Sequence, residues 1–348
     1  SLQLNLPPTP ITDMVIKEND LVLATQGRSF WILDDLTPLQ HWSESVTESG
    51  LFAFPTRTAY RTQFQNFRED GIIGRAPNGA IIYYYLKEIP DTNKVLRLSI
   101  IDGSGKVRRT YSSHPDKKLR EEKLSAKKGL NRFVWDLRLE QPVTQDKAVF
   151  SLARMRGIKA PPGSYGIRFA VADHTAETPV QIKQDPRWNV LDRSLVDLYQ
   201  TTMQAKAQLN SCHQAIGEIR SIRGQLEILK KREDLKERKE VTEPLEALID
   251  SLNNLEAKLI QTSSESGQDP INFPSRIDDQ FAFLYSRLNS KDAAPGSGAL
   301  QRLEDLQKEL QPYLTGLQDI KTKVSAINRT LKELSIDVIE VPGKTIKP

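Results

Sequence analysis

The sequence predicts a multidomain β-plus-α protein, with strands and a β-sandwich in its first half and an antiparallel helical bundle in its second. Three patterns carry that prediction. Residues 20–33 alternate around a glycine-bearing break, short strand-like runs recur between turn residues from Gly79 to Asp185, and apolar residues recur at steps of three and four from Asp192 to Ser335. At 348 residues the chain is too long for one ordinary core, so two or three domains are expected.

The first pattern runs Asp20-Leu-Val-Leu-Ala-Thr25, then Gln26-Gly27-Arg28, then Ser29-Phe-Trp-Ile-Leu33, which is that of a β-hairpin. Gly27 tolerates the positive φ of a tight turn. Alternation places Leu21 and Leu23 on one face with Val22 and Ala24 on the other. Both faces are apolar, and a lone hairpin is not stable in water, so this one is expected to need more sheet to join and a layer to cover it. Little before Asp20 offers either.

Strand-like runs follow at Ala80–Leu86, Val95–Ile101, Lys106–Tyr111, Asn131–Leu137, Ser164–Val171 and Thr178–Ile182. Asp102-Gly-Ser-Gly105 and Pro161-Pro-Gly163 supply turns between them. Short strands at this spacing favour a β-sandwich, and Trp135, between Val134 and Asp136, is the expected centre of its core.

In the second half, Leu195, Leu198, Thr202, Ala205, Leu209, Cys212, Ile216 and Ile219 form one helical seam. A second runs from Leu303 through Leu310, Leu317 and Val324 to Leu334, a third from Leu245 to Leu259, and a shorter fourth from Ile277 to Leu288. Breaks at Lys231–Pro244, Ser263–Pro274 and Asp292–Gly298 make an antiparallel four-helix arrangement the simplest topology. Pro312 lacks an amide donor and is expected to kink or break the longest helix.

Composition narrows the function classes. The net charge is only +4, and the basic residues of Arg223–Lys239 are interleaved with Glu227, Glu233, Asp234 and Glu237, so a solvated helix face is expected there and no nucleic-acid partner. No apolar run reaches the ~18 residues of a membrane span. The single cysteine, Cys212, excludes an intramolecular disulfide, and His41, His114, His174 and His213 lack metal-ligand spacing, so neither metal nor cofactor is expected. The chain opens on Ser1, without the basic start and apolar run of a secretory leader, from which the true N-terminus is expected to lie upstream.

The run from Asp20 to Asp35 resembles the closing blade of bacterial sortilin-like, Asp-box (BNR-repeat) β-propeller proteins, which are often labelled glycosyl hydrolases. Asn5-Leu-Pro-Pro-Thr-Pro-Ile-Thr-Asp13, Gly79–Leu86, Gly129–Arg138 and Pro161–Tyr165 fit the same family. The middle zone is also similar to the immunoglobulin-like module of flagellar hook-capping proteins, through its Gly129-Leu-Asn131 to Trp135-Asp136 strand and Pro162-Gly-Ser-Tyr165 hairpin. Two positions depart from the blade pattern: Gln26 stands where histidine is common and Ser29 where a second glycine is common. No Ser-x-Asp-x-Gly-x-x-Trp Asp-box repeat is present.

The resemblance implies the terminal strands of a propeller blade over 1–40, a linker over 41–78, an Ig-like or fibronectin-type sandwich over 79–186, and a four-helix bundle with a C-terminal tail over 187–348. It implies a non-catalytic structural and interaction region of a protein exported to the cell envelope or beyond. Its expected partners are the upstream propeller of the same protein and a second copy through the bundle. Two alternatives stand beside this: an accessory part of a glycoside hydrolase whose catalytic carboxylates lie upstream, and a peptide-binding protein of the sortilin kind.

Candidate chemistry within the chain is sparse. Arg28 and Trp31 are the candidate binding residues, able to line a groove at a propeller rim by stacking and a charge-assisted hydrogen bond. Asp34-Asp35 suggests a glycosidase pair, but neighbours on an extended strand point to opposite faces and do not flank one bond. Alternation likewise sends Tyr84 away from Tyr83 and Tyr85. Cys212-His213 suggests a thiolate pair, yet Cys212 lies on a core seam, where burial makes a thiol inert. No Ser-His-Asp spacing or phosphate-binding loop is visible, and no catalytic residue is assigned.

Overall fold

The computed structural model describes residues 4–62, 78–91, 93–115, 122–150 and 152–342. The chain is mixed β plus α and divides into two compact units, Ser1–Glu140 with Ala160–Asn189, and Gln141–Lys159 with Val190–Pro348.

The first unit holds the sheets. Strands β1 (Ile11–Lys17), β2 (Asp20–Thr25) and β3 (Phe30–Leu33) form an antiparallel sheet in that order. The hairpin expected at Asp20–Leu33 is its second half, and its turn uses positive φ at Gly27 and Ser29. The expectation that nothing before Asp20 supplies sheet is corrected by β1, which pairs Met14 with Leu23 and Ile16 with Leu21. Its turn, Glu18-Asn19, has φ of 50° and 75°, the left-handed pair of a two-residue hairpin loop. Glutamate is an unusual occupant of that conformation, so residue type alone carries little warning of the turn.

Short helices α1 (Thr37–Gln40) and α2 (Glu44–Glu48) lead to β4 (Leu51–Ala53) and β5 (Ala59–Arg61). These strands correct the assignment of 41–78 as a linker. The remaining strands are β6 (Ala80–Leu86), β7 (Arg97–Ile101), β8 (Val107–Ser112), β9 (Gly129–Trp135), β10 (Gly163–Val171) and β11 (His174–Gln184). One sheet has the order β4-β6-β9 and the other β5-β11-β10-β7-β8, with β5 parallel to β11 and the other pairs antiparallel. Three-residue strands carry too little periodicity to be read before their partners are known.

The buried faces of these two sheets pack against each other. Period-2 alternation buries Ile82, Tyr84 and Leu86 on β6, Phe133 and Trp135 on β9, and Ile167 and Phe169 on β10. Ring contacts between Tyr84 and Phe169 at 4.5 Å, and between Trp135 and Tyr165 at 5.7 Å, cross from one sheet to the other. Trp135 is fully enclosed, as its apolar strand implied, and its indole N–H donates to the Arg138 carbonyl at 2.8 Å. Gly79, with φ of +138°, brings backbone against backbone: a Cβ there would stand 2.1 Å from the Trp135 carbonyl oxygen.

The second unit is built on α3 (Asp192–Lys230), α4 (Lys239–Leu259), α5 (Ile277–Leu288) and α6 (Ser297–Glu333). Their seams enter one continuous apolar core, from Leu198, Leu209 and Ile216 on α3 to Leu252 on α4, Phe281 on α5 and Val324 on α6. Burial of each such Leu or Ile stabilises by roughly 1.5 to 3 kcal/mol before chain entropy is subtracted. A break at Pro312 does not occur: it lies inside α6, a single helix of 37 residues. Pro312 is on the exposed side, where water can satisfy the carbonyl left without its amide partner.

Residues 141–159 are a further correction to the boundaries, since the middle zone was expected to hold them. They join the helices as an irregular strap. Val143 N–H donates to Asn210 Oδ1 at 2.9 Å, Arg154 N–H to Ser286 Oγ at 3.0 Å and Lys159 N–H to Asn289 Oδ1 at 3.0 Å. Ala148, Phe150, Ala153 and Met155 pack on the helical core. Irregular backbone thereby finds partners on helix side chains.

Gly79→Ala is expected to destabilise the first unit by roughly 1 to 3 kcal/mol through the clash with Trp135 and the left-handed φ. Urea unfolding followed by tryptophan fluorescence checks this. A change within about 0.5 kcal/mol would contradict the close approach.

Candidate functional site

The first sheet is the candidate site, because its apolar side chains are left uncovered. Register places Ile16, Leu21 and Leu33 in one row of a face and Met14, Leu23 and Trp31 in the next. The opposite face carries Val15, Val22 and Ile32, then Ala24 and Phe30. Met14 and Ile16 are 62% and 61% exposed on the first face, and Phe30 and Ile32 are 73% and 59% exposed on the second. No residue of the three strands is fully buried. Solvent-facing apolar rows on both sides are what a sheet interior looks like before its neighbours are added.

Arg28 and Trp31 both belong to this sheet. The Trp31 indole N–H donates to the Arg28 carbonyl at 2.9 Å, which ties the ring to the turn. Arg28 is exposed, Trp31 half-buried. They share one hairpin, joined through the Arg28 backbone, and among the described residues no ring–cation contact brings the guanidinium over the indole.

Asp34 and Asp35 have separate tasks. Asp35, at φ of 60°, accepts from the Thr37 N–H at 3.1 Å, the Thr37 hydroxyl at 2.5 Å and the Asn19 amide at 3.3 Å, so its buried carboxylate ties the β1–β2 turn to α1. Asp20 accepts from the Asp35 N–H at 2.9 Å and from Arg57 at 2.6 Å. Partial burial pushes the Asp34 carboxyl above its usual range, helped by the Asp20 charge and opposed by Arg132 and Arg57. Asp35 holds a turn, and the two carboxylates do not form a pair across an open cleft.

Tyr84 turns inward and donates to the Ser125 carbonyl, while Tyr83 and Tyr85 share the outer face half-buried. Trp42 packs edge-on against Tyr85 at 5.6 Å. Burial raises the Tyr83 hydroxyl pKa, with Arg132 opposing.

Cys212 is fully buried, and burial, with the Asp278 charge adding to it, pushes its thiol well above the usual range. His213, the next residue along the helix, is completely buried as well. Its Nδ1 donates to the Val143 carbonyl at 2.5 Å, and its Nε2 stands 3.8 Å from the buried Asp278 carboxylate, whose pKa burial raises. The sequence held no signal for this meeting, since Val143 and Asp278 come from distant segments.

Among the described residues no group of His, Cys, Asp and Glu has a metal-binding arrangement. No helix among them is long and apolar enough to cross a membrane. Compared with known proteins, the chain matches no family model, no curated protein and no solved structure.

Two outcomes follow from these environments. A group whose folded pKa is raised contributes stability at pH below its unfolded value and loses it as pH climbs through the folded value. Asp34→Asn should therefore unfold at higher denaturant than the parent at neutral pH, and the gap should close below about pH 4, where the unfolded carboxyl is also protonated. An equal gap at both pH values would remove burial as the cause. Cys212 should react with an aromatic disulfide reagent only as fast as the helical unit opens, so its rate should climb with denaturant; rapid labelling in buffer would contradict its enclosure.

Proposed function

We propose that the chain is the non-catalytic, C-terminal interaction region of an exported Asp-box β-propeller protein. In this proposal β1–β3 are strands of the closing blade, the two facing sheets form an Ig-like sandwich, and the helices form an antiparallel four-helix bundle. The carrying observation is the first sheet, whose apolar rows are uncovered on both faces while the other two sheets cover each other.

A propeller blade has neighbours on both of its faces, so it is built with apolar residues on both. The first sheet has that character, and its Asp20–Asp35 run resembles a closing blade. Arg28 and Trp31 then lie at the edge of the blade, where they contact either the next blade or a ligand at the rim. The helical seams that suggested a partner helix are occupied by the chain's own core. The first sheet is therefore the preferred docking surface, for the propeller of the same polypeptide.

The test compares this chain with one extended upstream by the preceding coding sequence, using amide hydrogen exchange. Amides of Ile11–Lys17 and Phe30–Leu33 should become at least about tenfold more protected in the longer chain, corresponding to ~1.4 kcal/mol of added local stability. Substituting Phe30 and Ile32 with serine should abolish that gain while changing the short chain's stability by no more than about 0.5 kcal/mol, as for exposed positions. Unchanged exchange on extension would sink the proposal.

A further inference from the structure

We propose that the second unit carries a binding site for a tetrahedral oxyanion, a phosphate or sulfate group, in the cleft between the strap and helices α3 and α4. The cleft has a volume of about 660 Å³, and every residue that lines it is polar or charged. That volume is within the range of small-molecule sites.

The site is built around one buried carboxylate. Glu256 on α4 is only 4% exposed and holds two guanidiniums from successive turns of α3. Arg220 Nε donates to its Oε1 at 2.6 Å, and Arg223 Nη1 donates to its Oε2. Both carboxylate oxygens are thus occupied, and the two side chains are fixed in place. Arg220 Nη1 donates to the Asp146 carbonyl at 2.5 Å, and Arg223 Nη1 also donates to Asn253 Oδ1 at 2.9 Å. Clamped guanidiniums lose little entropy on meeting a ligand, which is the advantage of arginine over lysine for oxyanions.

The residues that line the cleft also carry donors that the clamp leaves unused. The Nη2 groups of Arg220 and Arg223, the Asn253 amide nitrogen, the Thr262 hydroxyl and the Lys147 ammonium have no hydrogen-bond acceptor among the described residues, and all five residues line the cleft. Lys147 has φ of 63°, a left-handed conformation that a lysine adopts at a cost, and it is the cleft's third cation. The opposing charges are Glu256 itself, spent on the two guanidiniums it holds, Asp146, which is exposed, and Glu227, 3.9 Å from Arg223 and half exposed. None of them occupies the remaining donors, so an incoming oxyanion competes with water for them.

Removing Arg220 or Arg223 would leave Glu256 buried and short of a partner, and such a variant can fail to fold. The test therefore uses Lys147→Ala and Asp146→Asn, both exposed positions, in the full chain. Inorganic phosphate and inorganic sulfate are titrated by calorimetry, with thermal unfolding measured alongside against chloride at matched ionic strength. Either anion should bind saturably and raise the unfolding temperature, and the tighter one names the source of the group. Lys147→Ala should weaken binding about 3- to 10-fold, as expected for one charge-assisted contact, and Asp146→Asn should strengthen it. No saturable binding of either anion up to about 50 mM, well above the millimolar range of weak specific sites, would overturn the proposal. So would binding that neither variant changes.

Discussion

Apolar surface in water has to be covered, and the architecture of this chain follows from where that requirement is met and where it is not. The β4-β6-β9 sheet and the five-stranded sheet cover each other through Tyr84, Phe169, Trp135 and Tyr165. The helices cover one another around Leu209, Leu252, Phe281 and Val324. Among the described residues, the β1–β3 sheet alone is left with apolar rows in solvent on both faces. At about 25 cal/mol per Å² of apolar surface, covering even one such face contributes several kcal/mol.

Polar burial follows a second pattern, in which irregular backbone is secured by side chains from distant segments. Asp35 and Asp20 organise the turns at the ends of the first sheet and tie them to Arg57. In the helical unit, Asn210, His213, Ser286 and Asn289 accept or donate along the strap, taking the place of a β partner. Glu256 serves two arginines at once, so a charge that would be costly alone is neutralised and hydrogen-bonded. The same arrangement leaves outward-facing donors rigid, and so the fold's solution for one buried carboxylate also creates the oxyanion cleft.

Much of this was legible locally. Alternation set Tyr84 on the face opposite Tyr83 and Tyr85, the apolar strand around Trp135 put that residue inside, and the three-four spacing put Leu195, Leu209, Cys212 and Ile216 in a core, because side-chain direction repeats every two residues in a strand and every 3.6 in a helix. Arg28 and Trp31 were legible as one hairpin, and their hydrogen bond through the Arg28 carbonyl was not. β1 escaped because its turn relies on Glu18 in a left-handed conformation. β4 and β5 escaped because three residues make no period, and their strand character comes from pairing with β6 and β11.

By itself, then, the sequence determined which residues are apolar and with what repeat, and from that the element types, the inward faces and the apolar character of both sides of the first hairpin. Tertiary structure alone decided that Gln141–Lys159 belongs with the helices, that His213 meets Asp278, and that Arg220 and Arg223 share Glu256. Hydrophobic periodicity is a local property that any window of the chain displays. A hydrogen bond between side chains and backbone 70 or 130 residues apart, such as His213 to Val143 or Lys159 to Asn289, imposes no repeat on either segment and becomes visible only when folding brings the two together.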